Sequence, residues 1–111
     1  MRIQCWINKN QDKVIPYSIF YKEQEFVVTS TGSMCFCNRS NIESIEFPLN
    51  SKIEIIGERS FCHTQITAVK IPSSVKTIKY RAFFDIKCLE SVEFSENSQL
   101  DKIEEKAFKY A

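Results

Sequence analysis

No stretch of this 111-residue chain is apolar for long enough to span a membrane, which takes about 20 apolar residues in a row. Charge of one sign is also missing. Fifteen Lys and Arg stand against fourteen Asp and Glu, intermixed, for a formal net charge of +1. Such a balance makes no basic stripe that would steer the chain toward nucleic acid. Histidine is scarce, with His63 alone, and the five cysteines at 5, 35, 37, 62 and 88 do not fall into two close pairs. A four-ligand zinc site would have to draw remote positions together. Cys62 and His63 are neighbours on an extended segment, where adjacent side chains point to opposite faces, and this counts against a nucleophile–base pair. The expectation is an unoccupied catalytic inventory: no enzyme, no cofactor and no metal. The cysteines then read as small buried side chains in a reducing compartment. The start, Met1-Arg2-Ile3-Gln4-Cys5-Trp6, is too soon broken by polar residues to read as a signal peptide. With Met1 as the true start, a cytosolic protein or unconventional export is expected.

What the chain does have is a pattern that repeats. Ile53-x-x-Ile56-x4-Phe61 returns as Val75-x-x-Ile78-x4-Phe83 and as Leu100-x-x-Ile103-x4-Phe108. Between these lie Ile66-x-x-Val69-x-Ile71 and Leu89-x-x-Val92-x-Phe94, with an earlier copy at Ile42-x-x-Ile45-x-Phe47. Spacings inside each block are constant, while length varies only between blocks, as loops joining packed segments tolerate. The period of 22 to 25 residues lies in the leucine-rich-repeat range. In the second block the apolar residues alternate, so they face one side of a strand. One unit cannot bury that side alone, so units stack and their strands pair in parallel. The first block turns the chain back, with Phe61, Phe83 and Phe108 entering the interior and a small residue before each (Ser60, Ala82, Ala107). Cys35 precedes Phe36 in the same way. Gly57 reads as a tight turn needing positive φ. The coil should be right-handed, as parallel crossovers are.

Ile56-Gly57-Glu58-Arg59-Ser60-Phe61, followed by Ile66-Thr67-Ala68-Val69-Lys70-Ile71-Pro72-Ser73-Ser74-Val75, resembles the BspA-like leucine-rich repeats. The likeness covers residues 42–111 and reaches back to Phe26–Met34. It departs where the family has a cysteine three residues after the phenylalanine, for Thr64 and Ile86 stand there. The resemblance implies a surface adhesion or antigen-type protein that binds host or matrix proteins and carries no chemistry of its own. The alternative is an intracellular scaffold or adaptor built from the same repeats. The expected fold is an α/β repeat solenoid, mostly β. Its parts would be a short parallel concave sheet, irregular or short helical convex segments and an N-terminal β cap.

Residues 1–30 lie outside the repeat and residues 31–111 hold about three repeats, the last incomplete. Ile3, Cys5 and Ile7 alternate, Asn8–Lys13 reads as a turn, and Ile19–Tyr21 with Phe26–Val28 reads as a hairpin. That segment would cover the open apolar end of the first repeat. Trp6, Tyr17, Phe20 and Tyr21 are better used in packing than as a ligand-binding patch. Asn50, Ser74 and Asn97 share one place after the strand, where short polar side chains bond the turning backbone. Asn38-Arg39-Ser40 matches a glycosylation acceptor, meaningful only in the secretory pathway. The candidate partner-binding surface is the outward face of the strands, in two columns: Ser44, Ala68 and Ser91, then Glu46, Lys70 and Glu93. Its partner would be a protein. The repeat that stops at Ala111 leaves an uncovered end, from which end-to-end self-association is expected.

Overall fold

Each repeat crosses the molecule in three segments, and hydrogen bonds join most segments to their counterparts in the next repeat. The structure, a computed structural model, describes residues 2–3, 15, 17–39 and 42–111. Its elements are β1 (Arg2–Ile3), β2 (Ser18–Tyr21), β3 (Gln24–Val27), β4 (Ser30–Thr31), β5 (Ile55–Ile56), β6 (Ala68–Ile71), β7 (Thr77–Ile78), β8 (Ser91–Phe94) and β9 (Lys102–Ile103). The alternation of Ala68-Val69-Lys70-Ile71 makes a strand with Val69 and Ile71 buried and Ala68 and Lys70 exposed. It pairs in parallel with β8, placing Ala68 beside Ser91, Val69 beside Val92 and Lys70 beside Glu93.

A second parallel sheet, in the order β1-β4-β5-β7-β9, runs through the opening of the other block. Ile55 lies beside Thr77 and Ile56 beside Ile78, then Thr77 beside Lys102 and Ile78 beside Ile103. Sequence reasoning treats this block only as the return segment. Its strands are two residues long and give no alternation to read.

The third segment is a set of four turns that run where short helices were allowed for. No helix occurs among the described residues, so the chain is mostly β as expected, and its convex segments take the irregular form rather than the helical one that the α/β label allowed. Backbone geometry explains it. Met34, Arg59, Arg81 and Lys106 all have positive φ, as do Asn38, His63, Asp85 and Tyr110 four residues later in each turn. A right-handed helix cannot pass through such residues. The turn closed by Ser60 N–H on the Gly57 carbonyl at 3.2 Å carries Arg59 in its third position with φ 54°, as a type II turn requires. Between turns, Met34, Phe36 and Asn38 donate to the carbonyls of Glu58, Ser60 and Cys62. Arg59, Phe61 and His63 donate in the same register to Tyr80, Ala82 and Phe84. Phe83 and Asp85 donate onward to Ala107 and Lys109.

Inside this ladder stands a column of phenylalanines. Phe36, Phe61, Phe83 and Phe108 stack with centroids 5.3, 5.3 and 5.1 Å apart and planes within 11° of parallel. That separation is in the attractive range for offset rings. Ile53, Ile56, Ile66, Ile71, Val75, Ile78 and Ile86 complete the core around the fully buried Phe61 and Phe83. Thr64, standing where the resembled family has cysteine, is buried and donates its hydroxyl to the Phe61 carbonyl at 3.0 Å.

Two further expectations are corrected. Gly57 does not have positive φ. Instead it lies against the preceding repeat, where a Cβ would collide with the Thr31 carbonyl oxygen, while its N–H donates to Thr31 Oγ1 at 2.8 Å. Glycine serves close approach of two backbones here. Cys37 and Cys62 are joined in a disulfide, so the reading of all cysteines as reduced small hydrophobes fails for this pair. The turn ladder sets both in one column, each following its phenylalanine. Cys35 is buried, and Cys88 is exposed.

At the amino-terminal side, β2 and β3 form an antiparallel hairpin, Ile19 beside Phe26 and Phe20 beside Glu25. Lys22 and Glu23 link them with φ of 50° and 64°, the positive pair of a type I′ turn, whose twist suits a hairpin. β1 pairs in parallel with β4. The alternation through Cys5 and Ile7, the turn at 8–13, and Trp6 of the aromatic patch lie outside the described residues. Ser74 Oγ donates to the Ile53 carbonyl of the preceding repeat at 2.6 Å, so its bond reaches across repeats. Asn97 takes positive φ.

Candidate interaction surfaces

The six residues singled out on the strands are all solvent-exposed: Ser44, Glu46, Ala68, Lys70, Ser91 and Glu93. Parallel pairing sets Ala68 against Ser91 and Lys70 against Glu93 on neighbouring strands, which lie about 4.8 Å apart. Ser44 and Glu46 belong to a segment that bonds elsewhere. The Glu46 carbonyl accepts from Ile15 N–H at 2.8 Å, and Gln65 and Thr67 donate to the Ile42 and Glu43 carbonyls. Beyond Glu43, no backbone hydrogen bond joins residues 44–48 to β6 among the described residues. Among the same residues Lys70 forms no ion pair with Glu46 or Glu93. The row of alternating charge is therefore available rather than closed on itself.

A depression of about 360 Å³ opens beside this row. Glu46 and Lys70 line it together with Phe47, Pro48, Leu49 and Pro72. Leu49 is fully exposed, an apolar side chain at the rim of a groove rather than in the core. Sequence reasoning missed these residues because it took Phe47 as inward and the rest as loop. The signal was the Pro that follows two of the three alternating segments, in Phe47-Pro48 and Ile71-Pro72, where the chain can no longer donate to a ladder.

The opposite flank gathers a different chemistry. The Arg81 guanidinium lies over the Tyr80 ring at 4.9 Å and the Phe84 ring at 4.6 Å, with Arg59 over Tyr80 at 5.7 Å. His63 Nδ1 meets an Asp85 carboxylate oxygen at 3.0 Å across adjacent turns, and its ring stands edge-on to Phe84. No group of three or more His, Cys, Asp or Glu is placed to hold a metal ion among the described residues. Cys62 is committed to its disulfide, so it offers no thiolate to His63.

A family model for BspA-type leucine-rich repeat regions matches residues 29–111, in six copies. The chain belongs to that repeat family. Its fold is similar to the crystal structure of the pneumococcal vaccine antigen PcpA, with a TM-score of 0.76 at 21% sequence identity. The superposition covers 96% of this chain and 34% of that one, so the chain spans about a third of the antigen's length. No curated protein matches the sequence significantly. Repeats of this family with a mostly-β, parallel-stranded structure point to an interaction role, and no helix among the described residues is long and apolar enough to cross a membrane.

Proposed function

We propose that the chain is a non-catalytic protein-binding segment of a right-handed leucine-rich-repeat solenoid, of the surface-antigen type, with the hairpin β2–β3 serving as its amino-terminal cap. The observation that carries the reading is that Ser44, Glu46, Ala68, Lys70, Ser91 and Glu93 are all exposed, with Glu46 and Lys70 lining a groove that has Leu49 at its rim. Charges that fix orientation next to an apolar anchor are the composition of a recognition surface. The Cys37–Cys62 disulfide supports placement in an oxidising compartment and favours surface display over the intracellular scaffold. Antibody staining of intact, unpermeabilised cells separates the two, and a signal only after permeabilisation overturns the display reading.

Binding through the strand row is tested by selecting partners from an array of extracellular proteins and repeating the measurement with Lys70→Glu and Leu49→Asp. Loss of affinity by about tenfold or more in both supports the site. Unchanged affinity in both moves binding elsewhere. The exposed Phe94 and Ile103 on the outer edges of β8 and β9 further support self-association along the strand edges. Light scattering that shows a monomer across a wide concentration range overturns that part alone.

A further inference from the structure

The turn flank carries a row of cations that the strand-face reading does not use. Arg59, Arg81 and Lys106 occupy the same place in three successive turns, all with positive φ of 54°, 54° and 61°. Backbone energetics give no reason for long basic residues there, since left-handed positions favour Gly, Asn and Asp. Of the companion positions, Asn38, His63 and Asp85 follow that preference and Tyr110 does not, while the other row, which opens on Met34, follows it nowhere. A residue kept against local cost points to a use for its side chain.

The geometry of the two arginines narrows that use. Arg81 is held between Tyr80 and Phe84 and Arg59 rests on the same Tyr80, so both planar forks are ordered before any ligand arrives. The nearby carboxylates form no ion pair with the two arginines among the described residues. Asp85 pairs with His63, and Glu104 accepts from Tyr80 N–H and lies 3.8 Å from Lys102. Neither Glu58 nor Glu105 forms an ion pair with a neighbouring cation among the described residues. Arg81 Nε is buried with no hydrogen-bond partner, a state that a folded chain seldom leaves unanswered. Between the two arginines lies a shallow depression of about 230 Å³, bounded also by Met34, Asn38, His63 and Phe84.

We propose that this flank is a second binding surface, which takes an acidic segment of a partner protein with its carboxylates on the Arg59 and Arg81 forks and its flanking charge on Lys106. Guanidinium forks match carboxylates two bonds at a time. A sulfated or carboxylated glycan shares the charge but needs open ring faces for its sugars. Tyr80 and Phe84 each already carry a guanidinium over the ring.

Fluorescence anisotropy of the whole chain with a labelled oligo-glutamate peptide, an oligo-glutamine control and a heparin-derived oligosaccharide tests the assignment. The expected result is binding of the glutamate peptide that weakens with salt and exceeds the glutamine peptide by about tenfold or more. Arg59→Gln and Arg81→Gln should each lower that affinity by about tenfold, whereas Lys70→Glu should leave it within about twofold. A thermal melt checks each variant. If Arg81→Gln unfolds, Arg59→Gln, on the periphery of the stack, carries the test. Equal binding of the two peptides, indifference to the arginine variants, or tighter binding of the oligosaccharide than of the glutamate peptide overturns the proposal. Because Lys70→Glu reports on the strand face and the arginine variants on the turn flank, the two readings fail separately.

Discussion

On the strand flank, β6 and β8 share four paired residues, and the neighbouring segment at 44–48 is bonded away from them. On the turn flank, four successive turns are tied by backbone bonds in one register and threaded by four stacked phenylalanines. The side of the repeat that looks irregular therefore holds the register, and the side with conventional strands is the more open. In a chain of short repeats, order resides where identical side chains meet at every turn, because each stacked ring buries its neighbours.

The sharpest way to break that contrast is Phe83→Ala. Phe83 is fully buried and stacked on both faces, and its truncation should cost about 3–5 kcal/mol. Val92→Ala, on the half-buried inner side of β8, should cost only about 1 kcal/mol. Similar losses in thermal or urea melts of the two variants would remove the distinction between the flanks.

The next largest effect belongs to the crosslink between turns. Cys37→Ser removes a disulfide that closes a 25-residue separation, for an expected loss of about 2–4 kcal/mol. Reductant should lower the melting temperature of the parent by a comparable amount and leave Cys37→Ser unmoved. A parent indifferent to reductant would show that the bond contributes nothing to the turn flank.

Ser60→Ala should act in the opposite direction. The Ser60 hydroxyl is buried without a partner, and Ala82 and Ala107 fill the same place in the following turns. Replacing it should raise stability by about 1 kcal/mol, and a melt that falls instead would reveal an unseen bond at that hydroxyl. The smallest effect is Lys70→Glu on the strand flank, under about 0.5 kcal/mol at an exposed position, read by the same melts.

The phenylalanine column was legible because a fixed interval recurs once per turn, and Cys35-Phe36 marked even its first member. Alternation in Val69-Lys70-Ile71 and Val92-Glu93-Phe94 likewise gave β6 and β8. The second sheet was hidden because two-residue strands have no period. The left-handed turns were hidden for another reason: Met34, Arg59, Arg81 and Lys106 are not turn-forming types, and their conformation is imposed by the ladder rather than by propensity. Cys37 and Cys62 each follow a phenylalanine of the column. Aligning the turns by their phenylalanines brings the two cysteines together, although their separation along the chain conceals it. The exposed strand residues were placed by the same alternation that buries Ile45, Val69 and Ile71, although Phe94 at the outer edge of β8 stays exposed. The groove beside them depends on the divergence of residues 44–48 from β6, which no local pattern encodes.

The disulfide between adjacent turns also sets how the chain would respond to tension. Hydrogen bonds between repeats run along the stacking direction, so a pull on the two ends would open them one repeat at a time. The repeats after Cys62 hold no crosslink among the described residues and can open in turn. The bridge from Cys37 to Cys62 then withholds its enclosed residues, about 85 Å of extended chain, from further lengthening. Under such a pull the repeats beyond the bridge would lengthen while the turns it encloses stay closed.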